Sequence, residues 1–399
     1  MESIREVYKI GRGPSSSHAM GPSAAARLFR SETPEADAYR VVLYGSLAKT
    51  GKGHRTDEAV REALLPVPVE IVFQMETDEP LPHPNTMRFF AYRDGREIAS
   101  IRVMSTGGGT IEIEGRPLPE RRDVYPENSF REIAAFCEAR GLRISDYVAL
   151  REGPEIWDFL ETVWSAMQQS ITDGLGTSGI LQGGLGVERK ARFLFNQRHI
   201  DESPETREGR IVCAYAFAAA EENADCGTIV TAPTCGSCAV VPAVLRYMQE
   251  KRGFSDEEIL RALAVAGIIG DLVRTNASVS GAECGCQAEI GTACAMAAAA
   301  LCELFGMRIG QIEYAAEMAI EHHLGLTCDP IGGLVQIPCI ERNAVAAMRA
   351  INALNLANFL ADTRKISFDM VVETMYHTGK DLLCQYRETA EGGLAKSYR

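Results

Sequence analysis

The sequence predicts an α+β N-terminal domain, a mixed sheet with helices, followed by an all-α C-terminal domain. Three observations carry this. Short β-branched and alternating runs bounded by turn residues occur only before Gly115. From Ser129 onward almost every segment has helical periodicity. Between them Gly115–Asn128 is rich in proline and charge and reads as a linker. The expected domains are therefore 1–125 and 129–399, and 399 residues are enough for two separate cores.

The first unit opens with G-P-S-S-S-H-A-M-G-P-S-A-A-A-R-L-F, a serine-capped start to an Ala-rich helix. Strand-like runs follow at Val41–Tyr44, Val69–Gln74, Met87–Tyr92, Ile98–Met104 and Thr110–Ile113, with a helix-like segment at Asp57–Leu65. Asp94-Gly95 between two alternating runs marks a hairpin. In the second unit helices are expected near 129–140, 154–172, 210–225, 238–251, 256–275, 285–305, 310–323, 340–360 and 368–380. Ser255-Asp256-Glu257-Glu258 is a helix N-terminus in residue type and spacing. Small residues such as Ala297–Ala300 permit close backbone approach in a bundle. The stretch 174–186, G-L-G-T-S-G-I-L-Q-G-G-L-G, reads as a loop; it lacks the phosphate-binding P-loop pattern and follows no strand.

A net charge of −13 argues against nucleic-acid binding and favours solubility. The longest apolar stretches, 262–273 and 290–302, fall short of the roughly 20 residues of a membrane span. No basic-plus-apolar leader precedes the first motif, so the expected location is cytoplasmic, with the 12 cysteines reduced or metal-bound. Eleven of them lie between 213 and 384, which assigns redox or metal chemistry to the helical part.

Cys286 stands in S-G-A-E-C-G-C-Q-A-E-I-G, and Cys328 and Cys339 bracket C-D-P-I-G-G-L-V-Q-I-P-C, which its prolines and Gly-Gly pair keep from being one helix. Three thiols from a loop and a helix terminus are one short of the four that usually hold an iron–sulfur cube, which would leave one iron open as a Lewis acid. Spacing alone leaves buried, packed thiols as an equal alternative. T-C-D-P-I-G-G-L-V-Q-I-P-C-I-E-R-N closely resembles the cluster-binding signature of the iron–sulfur-dependent L-serine dehydratases. G-P-S-S-S-H-A-M-G-P-S and G-S-L-A-K-T-G-K-G-H-R-T-D at 45–57 resemble the same family, in the order of its single-chain form.

The resemblance implies a 4Fe–4S cluster held by Cys286, Cys328 and Cys339 in the helical domain, with one iron open to substrate. Cys286 rather than Cys284 is the first ligand, because the family's thiol directly precedes Gln. It also implies L-serine as substrate, pyruvate and ammonia as products, a homodimer, and a site where the two domains meet. His54, in a glycine-flanked loop before a helix, is expected to be the base. His18, Ser15 and Ser16, at another helix start, are expected to hold the substrate carboxylate. Two alternatives stand beside this: a related cluster lyase acting on L-cysteine or L-threonine, and a non-catalytic iron–sulfur sensor. His322 and His323 read as structural. Cys235 and Cys238, a C-G-S-C before a helix, depart from the family pattern; they read as packed thiols or, if the helix start lowers their pKa, as redox-active ones.

Overall fold

The computed structural model describes residues 1–77, 80–116, 123–198, 200–360 and 363–398, so part of the expected linker, 117–122, lies outside the described residues. The strands are β1 (Ile10–Arg12), β2 (Ala38–Leu43), β3 (Val69–Phe73), β4 (Thr86–Arg93), β5 (Arg96–Gly107), β6 (Thr110–Ile113) and β7 (Thr228–Val230). Five form a mixed sheet in the order β3-β2-β4-β5-β6, parallel only between β2 and β3. That parallel pair needs a crossover, and the helix Thr56–Leu64 provides it. Asp94 and Gly95 both take positive φ in the β4–β5 turn, as an Asp-Gly hairpin requires. Alternation buries Met87, Phe89 and Ala91 of β4 on one face. There they pack with Ala25, Phe29, Val60 and Leu64 from helices Gly21–Glu32 and Thr56–Leu64.

Met1, Ile4, Val7 and Tyr8 belong instead to the core of the helical part. Tyr8 donates to the Leu263 carbonyl at 2.8 Å, and β1 pairs antiparallel with β7. The chain thus begins on the helical part and crosses to the sheet at Ser15–Met20, which places that turn at the junction. The helical core surrounds Thr292–Leu304, every residue of which is buried. Its alanines and cysteines let neighbours such as Asp256–Asn276 and Ile309–Glu321 approach closely. Ser255 and Glu258 form the expected capping box.

The expected helix 285–305 is divided. A π turn, Gln287–Gly291, leads into the α-helix and leaves Cys286 at its start. Helices Gly45–Thr50 and Ile144–Glu152 were not among the expected elements. The first is six residues long and starts at a glycine, and the second is nine residues long with its buried apolar positions confined to Ile144, Tyr147 and Val148 in its first half.

Candidate active site

On the sheet side, Ser15 caps the turn at 16–20, its Oγ accepting the His18 amide at 3.1 Å. His18 is fully buried. Its Nε2 lies 3.0 Å from Ser46 Oγ, and Ser46 spends its single proton on the Glu388 carbonyl at 2.6 Å. His18 Nε2 therefore carries hydrogen and Nδ1 is the lone-pair nitrogen. His54 follows the helix Gly45–Thr50. Its Nδ1 is 3.0 Å from the Thr50 carbonyl, which can only accept, so Nε2 presents the lone pair. Both nitrogens lie near Glu388 Oε1, at 3.4 Å from His18 Nδ1 and 3.6 Å from His54 Nε2, and Ser17 Oγ approaches His18 Nδ1 at 3.2 Å. Burial lowers the pKa of His54 to about 4 and that of His18 well below the usual range, so both rings are neutral at pH 7. Burial, with the nearby Glu289 and Cys286, pushes the Glu388 carboxyl well above its usual range, consistent with one proton shared towards the two rings.

On the helical side, Cys286 precedes the π turn and Cys328 lies in an extended segment tied to residues 386–388. The Cys328 amide donates to the Tyr386 carbonyl and its carbonyl accepts the Glu388 amide, both at 2.8 Å. Cys339 starts the helix Cys339–Leu360. All three thiols are buried and line one small cavity with Ser15, His54, Glu289 and Glu388. The two sides touch closely. A Cβ on Gly53 would lie 2.5 Å from the Gly333 carbonyl oxygen, so glycine permits the histidine loop to meet the cysteine loop. The glycine-rich stretch after Gly176 lies against the same loop, with Gln336 Nε2 bonded to the Gln182 carbonyl at 2.5 Å.

The donor set fits an iron–sulfur cluster with three protein thiolates. A hydrogen bond from the Cys328 thiol, aided by Arg342, brings Cys286 down to about 6 despite burial. The bond to Cys286 and burial hold Cys328 up, and burial holds Cys339 up. Burial opposes the Arg342 charge, yet three surrounding thiols raise its pKa, so a fixed cation already stands by the set. No fourth cysteine lines the cavity among the described residues. Cys284, the competing ligand, packs against Gly379 away from it, and burial raises its thiol to about 11.

Other expectations divide. Ser15 lines the cavity; His18 and Ser16 lie behind it, Ser16 beside the Cys235 thiol. His322 and His323 cap their own helix, each with Nδ1 near a carbonyl four residues back. Cys235 and Cys238 do not have lowered pKa values. Cys235 opens a short 3-10 turn, Cys235–Ser237, and Cys238 follows it, ahead of the helix Val240–Arg252; burial raises Cys238 to about 12 and Cys235 well above its usual range. Glu289, Arg342 and Ser46 sit inside motifs already quoted from the sequence, but their roles were missed. Glu388 was missed entirely: it lies in a non-helical C-terminal segment with no periodicity to draw attention to it.

Comparison with known proteins agrees across the chain. Residues 3–72 match the family "Serine dehydratase beta chain" and residues 75–395 match "Serine dehydratase alpha chain", so the boundary between the two matches falls at the end of β3. The chain is 42% identical to "L-serine dehydratase TdcG" of Escherichia coli K12, covering 99% of each. It is 39% identical to an L-serine dehydratase of Streptomyces coelicolor over 98% of each. It is 38% identical to one of Helicobacter pylori, over 100% of this chain and 99% of the relative. The chain belongs to the serine dehydratase family, with beta-type and alpha-type segments in one polypeptide.

Proposed function

We propose that the protein is an L-serine dehydratase that converts L-serine to pyruvate and ammonia with an iron–sulfur cluster. The observation that carries this is a single cavity lined by Cys286, Cys328 and Cys339 from the helical part and by His54 from the sheet side. Full-length similarity to several proteins named as L-serine dehydratases supports the substrate. In this reading 1–125 supplies the histidine side and 129–399 the thiols.

The reaction must remove a weakly acidic Cα proton and a poor leaving group. Cys286, Cys328 and Cys339 would hold a 4Fe–4S cluster, which supplies Lewis-acid polarisation of the hydroxyl group through the iron without a protein ligand. His54 Nε2, lone pair free because Nδ1–H is held by Thr50, takes the Cα proton. The Cα–H electrons form the Cα–Cβ double bond as the C–O bond breaks, and the hydroxyl leaves as water with the proton returned from His54 Nε2. The aminoacrylate tautomerises to an imine, which water hydrolyses to pyruvate and ammonia. Ser15, with Ser16 and His18 behind it, orients the substrate carboxylate in this scheme. Enclosure of the cavity limits competing water.

A homodimer completes the proposal, supported by Val345, Leu356, Phe359 and Leu360 on the helix Cys339–Leu360, all exposed and on one side of it. A monomeric mass in solution would remove that part. The test of the function is pyruvate formation from L-serine by anaerobically purified, iron-loaded protein, compared with rates on L-threonine and L-cysteine. L-serine is expected to be preferred; preference for either rival, or no turnover, would overturn the assignment. Among the described residues no helix is long and apolar enough to cross a membrane.

A further inference from the structure

We propose that the Glu388 carboxyl, with that of Glu289 on the same cavity, receives the ammonium group of the substrate; this rests on the reading of the chain as an L-serine dehydratase.

The two oxygens of Glu388 do different things. Oε1 lies near His18 Nδ1 and His54 Nε2. Oε2 makes no hydrogen bond of ordinary geometry although the residue is only 5% exposed; the Ala282 amide near the carboxyl only partly offsets its burial. A buried polar atom left without a partner is costly, and at a cavity wall it marks a position that a ligand donor completes. With any shared proton on the Oε1 side, Oε2 is an acceptor in either protonation state. The carboxyl is also rigidly presented. Glu388 has φ 55°, its carbonyl accepts from Ser46 Oγ, and its amide donates to Cys328 O.

No lysine or arginine lines the cavity among the described residues; Arg342, the cation beside its thiols, is engaged with the Thr327 carbonyl at 2.7 Å and with Asp329 at 3.0 Å. Glu289 Oε1 accepts from Thr234 Oγ1 at 2.7 Å, whereas Oε2 has only a long 3.9 Å contact from the Cys286 thiol. A cysteine acting as a metal ligand gives up that proton. Two acidic side chains with unmet acceptor capacity match an ammonium, which has three donors. The Cα of an amino acid is one bond from its nitrogen. An ammonium on Glu388 Oε2 therefore brings the Cα–H towards His54, whose Nε2 lies 3.6 Å from the other oxygen of that carboxyl. This selects α-amino acids over simple β-hydroxy acids.

The test compares L-serine with 3-hydroxypropionate, which keeps the carboxylate and β-hydroxyl but has no ammonium. Anaerobic, cluster-loaded wild type and Glu388→Gln are titrated with each. Dissociation constants are read from the ligand-induced change in cluster absorbance, alongside KM, kcat and iron content. Glu388→Gln is expected to weaken L-serine by about 10- to 100-fold while 3-hydroxypropionate changes by less than about 3-fold. Glu388→Asp should recover part of the loss. Equal weakening of both ligands would reduce Glu388 to packing, and a fall in kcat with unchanged serine binding would make it a proton relay; either overturns the ammonium site alone. If Glu388→Gln does not retain iron, the same ligand pair on Glu289→Gln decides, with selective loss of serine expected and equal loss fatal. A wild-type protein that neither binds nor turns over L-serine overturns both the ammonium site and the dehydratase reading.

Discussion

His18 and His54 stack with ring centroids 4.3 Å apart and planes 28° from parallel, each with a ring nitrogen towards Glu388 Oε1. Only His54 also lines the cavity. In the proposed reaction His54 is the base at the cavity and His18 a support behind it.

If His54 is the base, His54→Ala should lower kcat by roughly 10²–10⁴ while iron content and serine binding persist. His18→Ala should raise KM at least as much as it lowers kcat, because its ring holds Ser46 on that side of the cavity. Steady-state kinetics with iron quantitation on both variants checks this. The reverse pattern would exchange the two roles.

Cys286→Ser, Cys328→Ser and Cys339→Ser should each abolish the cluster, whereas Cys284→Ser, whose side chain packs on Gly379, should retain most of it. The readouts are bound iron, acid-labile sulfide and visible absorbance after anaerobic purification. An iron without a protein ligand is released easily, so activity should fall in air and return with ferrous iron and thiol. Full activity in metal-free protein would end the cluster proposal.

Much of the layout was legible because periodicity reports local structure. β4 and β5 alternate, Asp94-Gly95 supplies a turn of the required φ, and Ser255–Glu258 spells a cap. That Cys286, Cys328 and Cys339 share one cavity was legible for a different reason: residue type together with family resemblance, since spacing alone did not separate ligands from packed thiols. Glu388 was not legible. Its place at the cavity depends on a C-terminal segment laid beside Cys328 and pinned by Ser46, 342 positions earlier, and such pairing leaves no local trace. The pairing of β1 with β7 was hidden in the same way, since both strands have three residues and neither alternates enough to be read.

Asp271 offers a pH test away from the site. It is fully buried, neither oxygen is hydrogen-bonded, and Arg274 Nη1 is 3.6 Å from Oδ1. Burial raises its pKa from 3.8 to about 7. The folded protein then keeps a proton that the unfolded chain loses, so the contribution to stability is full below about pH 4 and is lost as pH rises to about 7. Asp271→Asn removes the titrating group. It should stabilise the protein at pH 8.5 by an amount on the order of 1–4 kcal/mol, with a smaller gain at pH 5.5. Thermal unfolding of both proteins at the two pH values checks it; an equal shift at both would mean that the carboxyl does not titrate in this range.

Cys235 and Cys238 provide the test of a redox role that the sequence allowed. Reactive thiols need thiolate character and access, and these have neither. Cys235 Sγ lies 3.4 Å from Met20 Sδ, Cys238 Sγ points at the Ala219 carbonyl at 3.9 Å, and burial raises both pKa values. They act as small apolar side chains between the first turn of the sheet side and the helical core. The double variant Cys235→Ala with Cys238→Ala should therefore lose activity in air at the parental rate and recover equally with iron and thiol. Its cost should appear in stability, on the order of 1 kcal/mol for each sulfur removed from a packed interior. Inactivation and recovery curves measured beside thermal unfolding separate the outcomes. Faster inactivation with unchanged stability would restore a protective role for the pair, and failure to assemble the cluster would make one of them a ligand.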